Sequence, residues 1–510
     1  MSAEGSRGLP LAAQGVLLAA LTALAFGVRA ARLLGSTHPL GTDGYYYVVQ
    51  VESLLARGNL HVPDSSWVHG WLAAVAAVAG DPVLGVKLAA VLLAAACVPA
   101  AWLLGRALGG GVTGAWVLAG WAAASPTLTH LAGDFPKNLG LVAPLLLLLA
   151  LLARPLFDSQ PVGRRVGRTL LLVVFALLVA TAHRTGAALL LLAVVGAGLG
   201  WLGRRLGRGG VPGGSAALRG ALLVLGCGLV FSVGTAVLPA WLHPSDLARL
   251  EGRFTLEPHL PGPWGWLGLR PTGFRQVVEL SLPWLALGAA APAWFARPAI
   301  RPWLGGLGLA LLVLLFPGWR VDELDLGYRL CLLAPVVAMP LGLLLLGPRL
   351  PRARRAPLLL VGVCFALALG SGPGIDPDSS PPYDRYGEVL DAIPEPLPQL
   401  LIAHQGMSFY YDHRTGHEAM AWAPEEALDR REVYRVVHGV RAGEWLAFAP
   451  QDAGLPRPSP LGHGYHYVRE DLWEGFVETV LVEGDEDLQA RLDDWRNPRR
   501  VRPDHMLRGR

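Results

Sequence analysis

Two short stretches of this chain carry the residue types that chemistry at a membrane boundary needs. In Gly41-Thr-Asp-Gly-Tyr-Tyr-Tyr47 one carboxylate, Asp43, stands between two glycines and ahead of three tyrosines. In Gly133-Asp-Phe-Pro-Lys-Asn138 a second carboxylate, Asp134, stands three residues before Lys137. Ionised carboxylates near a bilayer are costly without a partner or a purpose. Asp43 alone could serve as a general base. Asp43 and Asp134 together could hold a divalent cation, Mg²⁺ or Mn²⁺, through oxygen ligands. The plainer readings are that Thr42 or Asp43 caps the helix that follows, and that Asp134 is a turn residue before Phe135-Pro136.

Lys137, Arg184, Arg320 and Arg329 are cations that hydropathy places at the same boundary. Gathered together they would bind a lipid-linked phosphate or diphosphate and stabilise it as it leaves. Arg329 is the sharpest, just inside the start of an apolar span in Gly327-Tyr-Arg-Leu-Cys-Leu-Leu-Ala-Pro335, where the plainer reading is snorkelling. Tyr46 and His183 complete the substrate-binding candidates, His183 as a hydrogen-bonding partner of a phosphate or an acceptor. Asp322, Glu323 and Asp325 read as salt-bridge partners of Arg320 and Arg329 before they read as a metal site. The tail histidines His404, His413, His417, His438, His463 and His466 follow no zinc spacing. No Walker loop, HExxH, GxSxG or CxxC pair occurs.

The elements that must position these residues are membrane helices. Of 510 residues 53% are hydrophobic and only 16% charged, where a soluble protein of this size carries about 25%. Apolar runs near twenty residues long, such as those containing Leu145 to Leu152 and Leu309 to Phe316, predict about eleven spans. The first covers 11–28, without a cleavage-site pattern after it; the third covers 111–129; the seventh, 220–241; the last, 356–371. Between them, arginine clusters at 154–168, 204–219, 297–301 and 349–355 all fall on one side, the cytoplasmic side by the positive-inside rule. The loops with Asp43, Asp134, His183-Arg184, 243–279 and 322–329 fall on the other. After the first of these loops, Tyr47, Val51, Leu54 and Leu55 recur at helical spacing up to Arg57-Gly58, which predicts an amphipathic helix lying on the bilayer.

Residues 1–372 are therefore read as a multi-spanning domain, 373–382 as a Gly/Pro/Asp/Ser linker, and 383–510 as a small polar α/β domain on the extracytoplasmic face. The four cysteines all sit in predicted spans and read as small buried hydrophobes, not a disulfide framework. The net charge of +4 comes from the cytoplasmic clusters, with no basic face interleaved with aromatics, so nucleic acid is excluded as a partner.

The first outer loop, Thr-Asp-Gly-Tyr-Tyr-Tyr with a following amphipathic helix, resembles the GT-C membrane glycosyltransferases, among them oligosaccharyltransferase catalytic subunits and protein mannosyltransferases. The Gly133 to Asn138 loop resembles the second acidic motif of the oligosaccharyltransferase branch, and Gly327 to Pro335 resembles a span start found late in many GT-C domains. The likeness covers residues 1–370. It implies a polyprenyl-phosphate or polyprenyl-diphosphate sugar donor, with Asp43 as the catalytic carboxylate, Asp134 as a metal ligand and Arg329 as a donor-phosphate contact. Two departures stand out: the tail has no Trp-Trp-Asp signature, and no second acidic residue adjoins Asp43. The expectation is an inner-membrane glycosyltransferase moving a sugar from that lipid donor to a glycan, lipid or protein acceptor on the extracytoplasmic side. A transporter or flippase of a lipid-linked or anionic substrate is the alternative, disfavoured because the charges cluster in outer loops and no repeat is visible. A structural anchor presenting the C-terminal domain is a third reading, under which the loop carboxylates would have no reason to converge.

Overall fold

A computed structural model of the protein describes residues 10–41, 43–108, 111–153, 162–206, 274–316, 326–346, 356–369, 383–392, 400–403, 405–420, 433–437 and 466–469. Two compact units divide the chain: Met1–Thr37 with Asp64–Asp376, and His38–Pro63 with Pro377–Arg510. The predicted seventh span at 220–241, Arg320, the 322–325 acidic cluster and the linker lie outside the described residues.

The described part of the first unit is helical. Numbered in chain order, with α2 reserved for the other unit, its helices are α1 (Leu11–Leu33), α3 (Trp67–Ala79), α4 (Pro82–Ala107), α5 (Gly111–Ala124), α6 (Pro126–Asp134), α7 (Pro136–Gly140) and α8 (Val142–Ala153). They continue as α9 (Val162–Ala182), α10 (Arg184–Leu206), α11 (Phe274–Ala296), α12 (Arg301–Leu314), α13 (Leu326–Leu346) and α14 (Ala356–Leu369). Among the described residues, α1, α4 and the run Pro136–Ala153 are long and apolar enough to cross a bilayer, and seven further apolar helices are shorter. Local chemistry sets the starts. Asp81 Oδ1 accepts the Leu84 N–H at 2.6 Å with Pro82 at the first helical position, and Ser66 Oγ accepts the Val68 N–H at 3.3 Å.

The expected third span at 111–129 is instead two helices, and the expected loop at 133–138 is largely helical. Two prolines explain both breaks, since the residue before proline is driven out of the α region. Ser125 is extended at φ −64°, ψ 115°, and Phe135 lies at φ −133°, ψ 60°. Pro126 has no N–H, so the Ala122 carbonyl loses its helical donor. Arg29 replaces that donor, with its buried Nη2 2.8 Å from the Ala122 oxygen. Glu279, buried on α11, completes the repair at the start of α6. It accepts from Trp121 Nε1 (2.8 Å), Ser125 Oγ (2.6 Å), the Thr127 N–H (3.0 Å) and Thr127 Oγ1 (2.8 Å). A kinked apolar helix thus has its orphaned backbone groups satisfied by a buried base and a buried acid.

In the second unit α2 (Gly44–Arg57) ends at Gly58, whose φ of 74° closes the helix. Helices α15 (Tyr383–Ala392) and α16 (Gln405–Thr415) accompany strands β1 (Leu400–Ile402), β2 (Glu418–Met420), β3 (Val433–Val437) and β4 (His466–Arg469). The sheet order is β2-β1-β3-β4. β1 is parallel to both its neighbours, with Leu401 opposite Ala419 and Tyr434, while β3 and β4 are antiparallel, with Val436 opposite Tyr467. Leu400, Leu401 and Ile402 are all buried, as a central strand covered on both faces requires. Residues 38–63, which the sequence division keeps inside 1–372, group here with the C-terminal segment. The reason is aromatic: Tyr45, Tyr46 and Tyr47 of α2 are all buried, the Tyr45 ring meets Tyr383 and Tyr410, and the Tyr46 ring meets Phe409.

Candidate functional site

Asp43 sits in a tight turn. The Gly44 N–H donates to the Gly41 carbonyl at 3.2 Å, and Asp43 itself adopts φ −90°, ψ 6°, the conformation of the third residue of a type I turn and one that active-site residues often occupy. Both flanking glycines are needed. Gly41 has φ 81°, and a Cβ on Gly44 would lie 3.0 Å from Pro39 Cβ and Cγ. Asp43 occupies the N-cap position of α2, yet its side chain makes no capping hydrogen bond. The cap reading therefore does not account for this carboxylate. Tyr46 is held in the unit's interior: its hydroxyl accepts from Gln50 Nε2 at 3.1 Å, and Gln50 is itself pinned to the Val62 N–H and carbonyl at 2.9 and 2.7 Å.

The cationic candidates of the first unit lie on element ends that hydrogen bonds draw together. Ser66 Oγ donates to the Ala182 carbonyl (2.6 Å) and Trp67 Nε1 to the Leu178 carbonyl (2.9 Å), fastening the start of α3 to the end of α9. Lys137 donates to Asp64 Oδ2 at 2.8 Å, and His69 Nε2 lies 3.4 Å from the same oxygen. Asp64 Oδ1 also accepts the Ser66 N–H at 2.9 Å. Burial alone would raise the Asp64 carboxyl, but the Lys137 charge and the hydrogen bonds from His69 and Lys137 hold it well below the usual carboxylate range. Burial pushes His69 down. Lys137, expected as a phosphate-binding cation, is here in an ion pair with Asp64, which the sequence reading missed. Its signal was an ionisable residue, His69, inside an otherwise apolar helix.

His183 stands between α9 and α10, and its Nδ1 accepts the Thr185 N–H at 3.2 Å and lies 2.8 Å from Thr185 Oγ1. Arg184 is exposed at the first position of α10. A cation there opposes the helix dipole, so helix stability gives no reason for its placement. Asp134 closes α6 with Oδ2 3.3 Å from His130 Nε2. Burial, aided by the Arg32 charge, pushes His130 down to about 4, so near neutral pH the imidazole beside this carboxylate is uncharged. Arg329 falls in the first turn of α13; its side chain, like Arg320, lies outside the described residues.

No family model matches the sequence, and no curated protein sequence does. Solved structures do match. ArnT from Cupriavidus metallidurans bound to undecaprenyl phosphate aligns with a TM-score of 0.55 at 14% identity, over 90% of this chain and 98% of its own. The oligosaccharyltransferase of Archaeoglobus fulgidus, in complex with Zn and sulfate, aligns at 0.51 and 11% identity, over 83% of this chain and 68% of its own. The chain has a GT-C-like fold.

On this GT-C-like chain, Asp43 and Asp134, the expected metal pair, fall in different compact units. Among the described residues no group of three or more His, Cys, Asp or Glu side chains could hold a metal ion. No step below is routed through a divalent cation.

Proposed function

We propose that this protein is a membrane glycosyltransferase that moves a sugar from a polyprenyl-phosphate-type donor to an acceptor on the extracytoplasmic side of the inner membrane. The observation that carries the proposal is Asp43: a carboxylate on a glycine-built turn, engaged in no helix cap, in a chain whose fold aligns along 90% of its length with a structure bound to undecaprenyl phosphate. In the reaction Asp43 accepts the proton of the acceptor's nucleophilic group. That group bonds the anomeric carbon as the bond from that carbon to the phosphate oxygen breaks. The electron pair leaves on the lipid phosphate, and Lys137, Arg184 and Arg329 stabilise its charge. His183 and Tyr46 belong to the substrate side of this proposal, and the C-terminal domain to the extracytoplasmic face.

The test is donor turnover. Purified protein in detergent is given radiolabelled polyprenyl-phosphate sugars, with and without Mn²⁺, beside Asp43→Asn. Sugar release that disappears in Asp43→Asn supports the proposal, and equal activity of the variant overturns the role of Asp43. Donor binding without turnover across a panel of acceptors favours a transporter. An Mn²⁺ requirement would support the divalent-cation expectation for Asp134.

A further inference from the structure

The turn that carries Asp43 is held from outside by the C-terminal segment of its own compact unit. Tyr383, the first residue of α15, donates its hydroxyl to the Gly41 carbonyl at 2.8 Å, and the bond is buried. The same carbonyl accepts the Gly44 N–H that closes the turn. A carbonyl oxygen has two lone pairs. Here one closes the turn around Asp43 and the other is fixed by a residue more than three hundred positions away in sequence. Turning the Gly41 peptide would break both bonds, so the Tyr383 hydroxyl sets the plane of the peptide two residues before the carboxylate.

The surroundings are built to hold that contact. The Tyr383 ring meets Tyr45 edge-on at 4.7 Å, and Tyr45 also lies against Tyr410 at 5.0 Å and His413 at 4.9 Å. Three imidazole–carboxylate contacts join the same two segments: His38 to Asp384 at 3.0 Å, His413 to Glu52 at 2.8 Å and His61 to Asp412 at 3.0 Å. An ionised carboxylate can only accept, so His38 donates through Nε2, which leaves its Nδ1 to accept the Tyr45 hydroxyl at 2.7 Å. Packing alone would be served by phenylalanine at 383. A buried hydroxyl is costly unless it bonds something, and what it bonds is the hinge of the Asp43 turn.

We propose that the C-terminal segment is part of the transfer centre, with Tyr383 as the residue that positions Asp43 through the Gly41 carbonyl. This rests on Asp43 being the catalytic carboxylate. Tyr383→Phe keeps the ring and leaves the Gly44 bond in place, so the unit remains folded while the peptide is freed to rock. Small misplacements of a reacting group cost rate rather than affinity.

The experiment compares full-length wild type, Tyr383→Phe and Asp391→Asn, the last on the same helix but paired on the surface with Arg414. Sugar-transfer kinetics and amide hydrogen exchange over residues 41–57 are read together. For Tyr383→Phe the expected result is a fall in kcat of about tenfold with donor KM unchanged, and exchange at the Gly44 amide faster by a similar factor; Asp391→Asn matches wild type in both. Unchanged kcat and unchanged exchange overturn the proposal. A uniform rise in exchange across the unit, with kcat and KM both degraded, also overturns it, because Tyr383 would then be only a packing residue. If Asp43→Asn keeps full activity while the Gly44 exchange still responds to Tyr383→Phe, the transferase role of Asp43 fails and the clasp on the turn stands by itself.

Discussion

The turn at Asp43 and the Asp64–Lys137–His69 group hold a charged side chain in place in opposite ways. At Asp43 the backbone does the holding. Gly41 and Gly44 shape the turn, Tyr383 fixes its carbonyl, and the carboxylate takes no part in capping. At Lys137 the side chains hold each other, with one carboxylate accepting from a lysine and a backbone N–H and lying 3.4 Å from a histidine. The first arrangement sets the place of the carboxylate through its backbone. The second leaves a cation whose charge is already balanced, so an incoming phosphate has to compete with Asp64.

That contrast can be broken most directly at Asp43. Asp43→Asn is expected to lower sugar transfer by about 10²–10⁴-fold, the range for a lost general base, with thermal stability unchanged. A stability loss matching the activity loss would make the two regions alike.

Next in size is Lys137→Ala, which leaves the Asp64 carboxylate half-stranded. Uncoupling a buried pair costs about 3–5 kcal/mol, reduced here because both side chains keep about a fifth of their surface exposed. The double variant Lys137→Ala/Asp64→Asn separates the two uses of this lysine. Unfolding should show stability largely restored while donor affinity stays low; full recovery of donor affinity would make the pair purely structural.

Acid reads the same region through His130. Its ordinary value of 6.5 is pushed down to about 4 in the folded chain. Below 6.5 the unfolded chain takes up a proton that the native chain refuses, so stability falls as the pH drops from 6.5 to 4, by about 3 kcal/mol in all. His130→Gln should flatten the thermal midpoint across that window. Asp64 contributes a further loss only below about pH 4, where the unfolded carboxylate begins to protonate. The smallest effect is expected at Tyr46→Phe, which removes one acceptor for Gln50 and should cost about 1 kcal/mol. If donor KM also rises, Tyr46 reaches substrate as well as the interior.

Much of this was written in the chain's local chemistry. Arg57-Gly58 ends α2, and Asp81-Pro82 begins α4. The GT-C-like fold is legible there as a resemblance, carried by the Thr42 to Tyr47 loop and the motifs at 133–138 and 327–335. Hydropathy averages over the kink at Pro126 that the backbone cannot, and the stretch 133–138, which reads as a loop, is largely helical. Asp64 and Glu279 escaped notice for a related reason. A lone acid in a loop or at a helix start looks solvated until the helices that bury it are in place.

The sequence by itself determined which segments are apolar and helical and which few residues carry charge between them, because each depends on neighbours a few positions away. Tertiary structure decided the rest. It gave Lys137 a counter-ion 73 residues back, gave Ala122 a donor from α1, and gave the Asp43 turn a hydroxyl from α15. Hydrogen bonds and ion pairs act over about 3 Å, and nothing in a linear pattern says which distant residue will be brought within that reach.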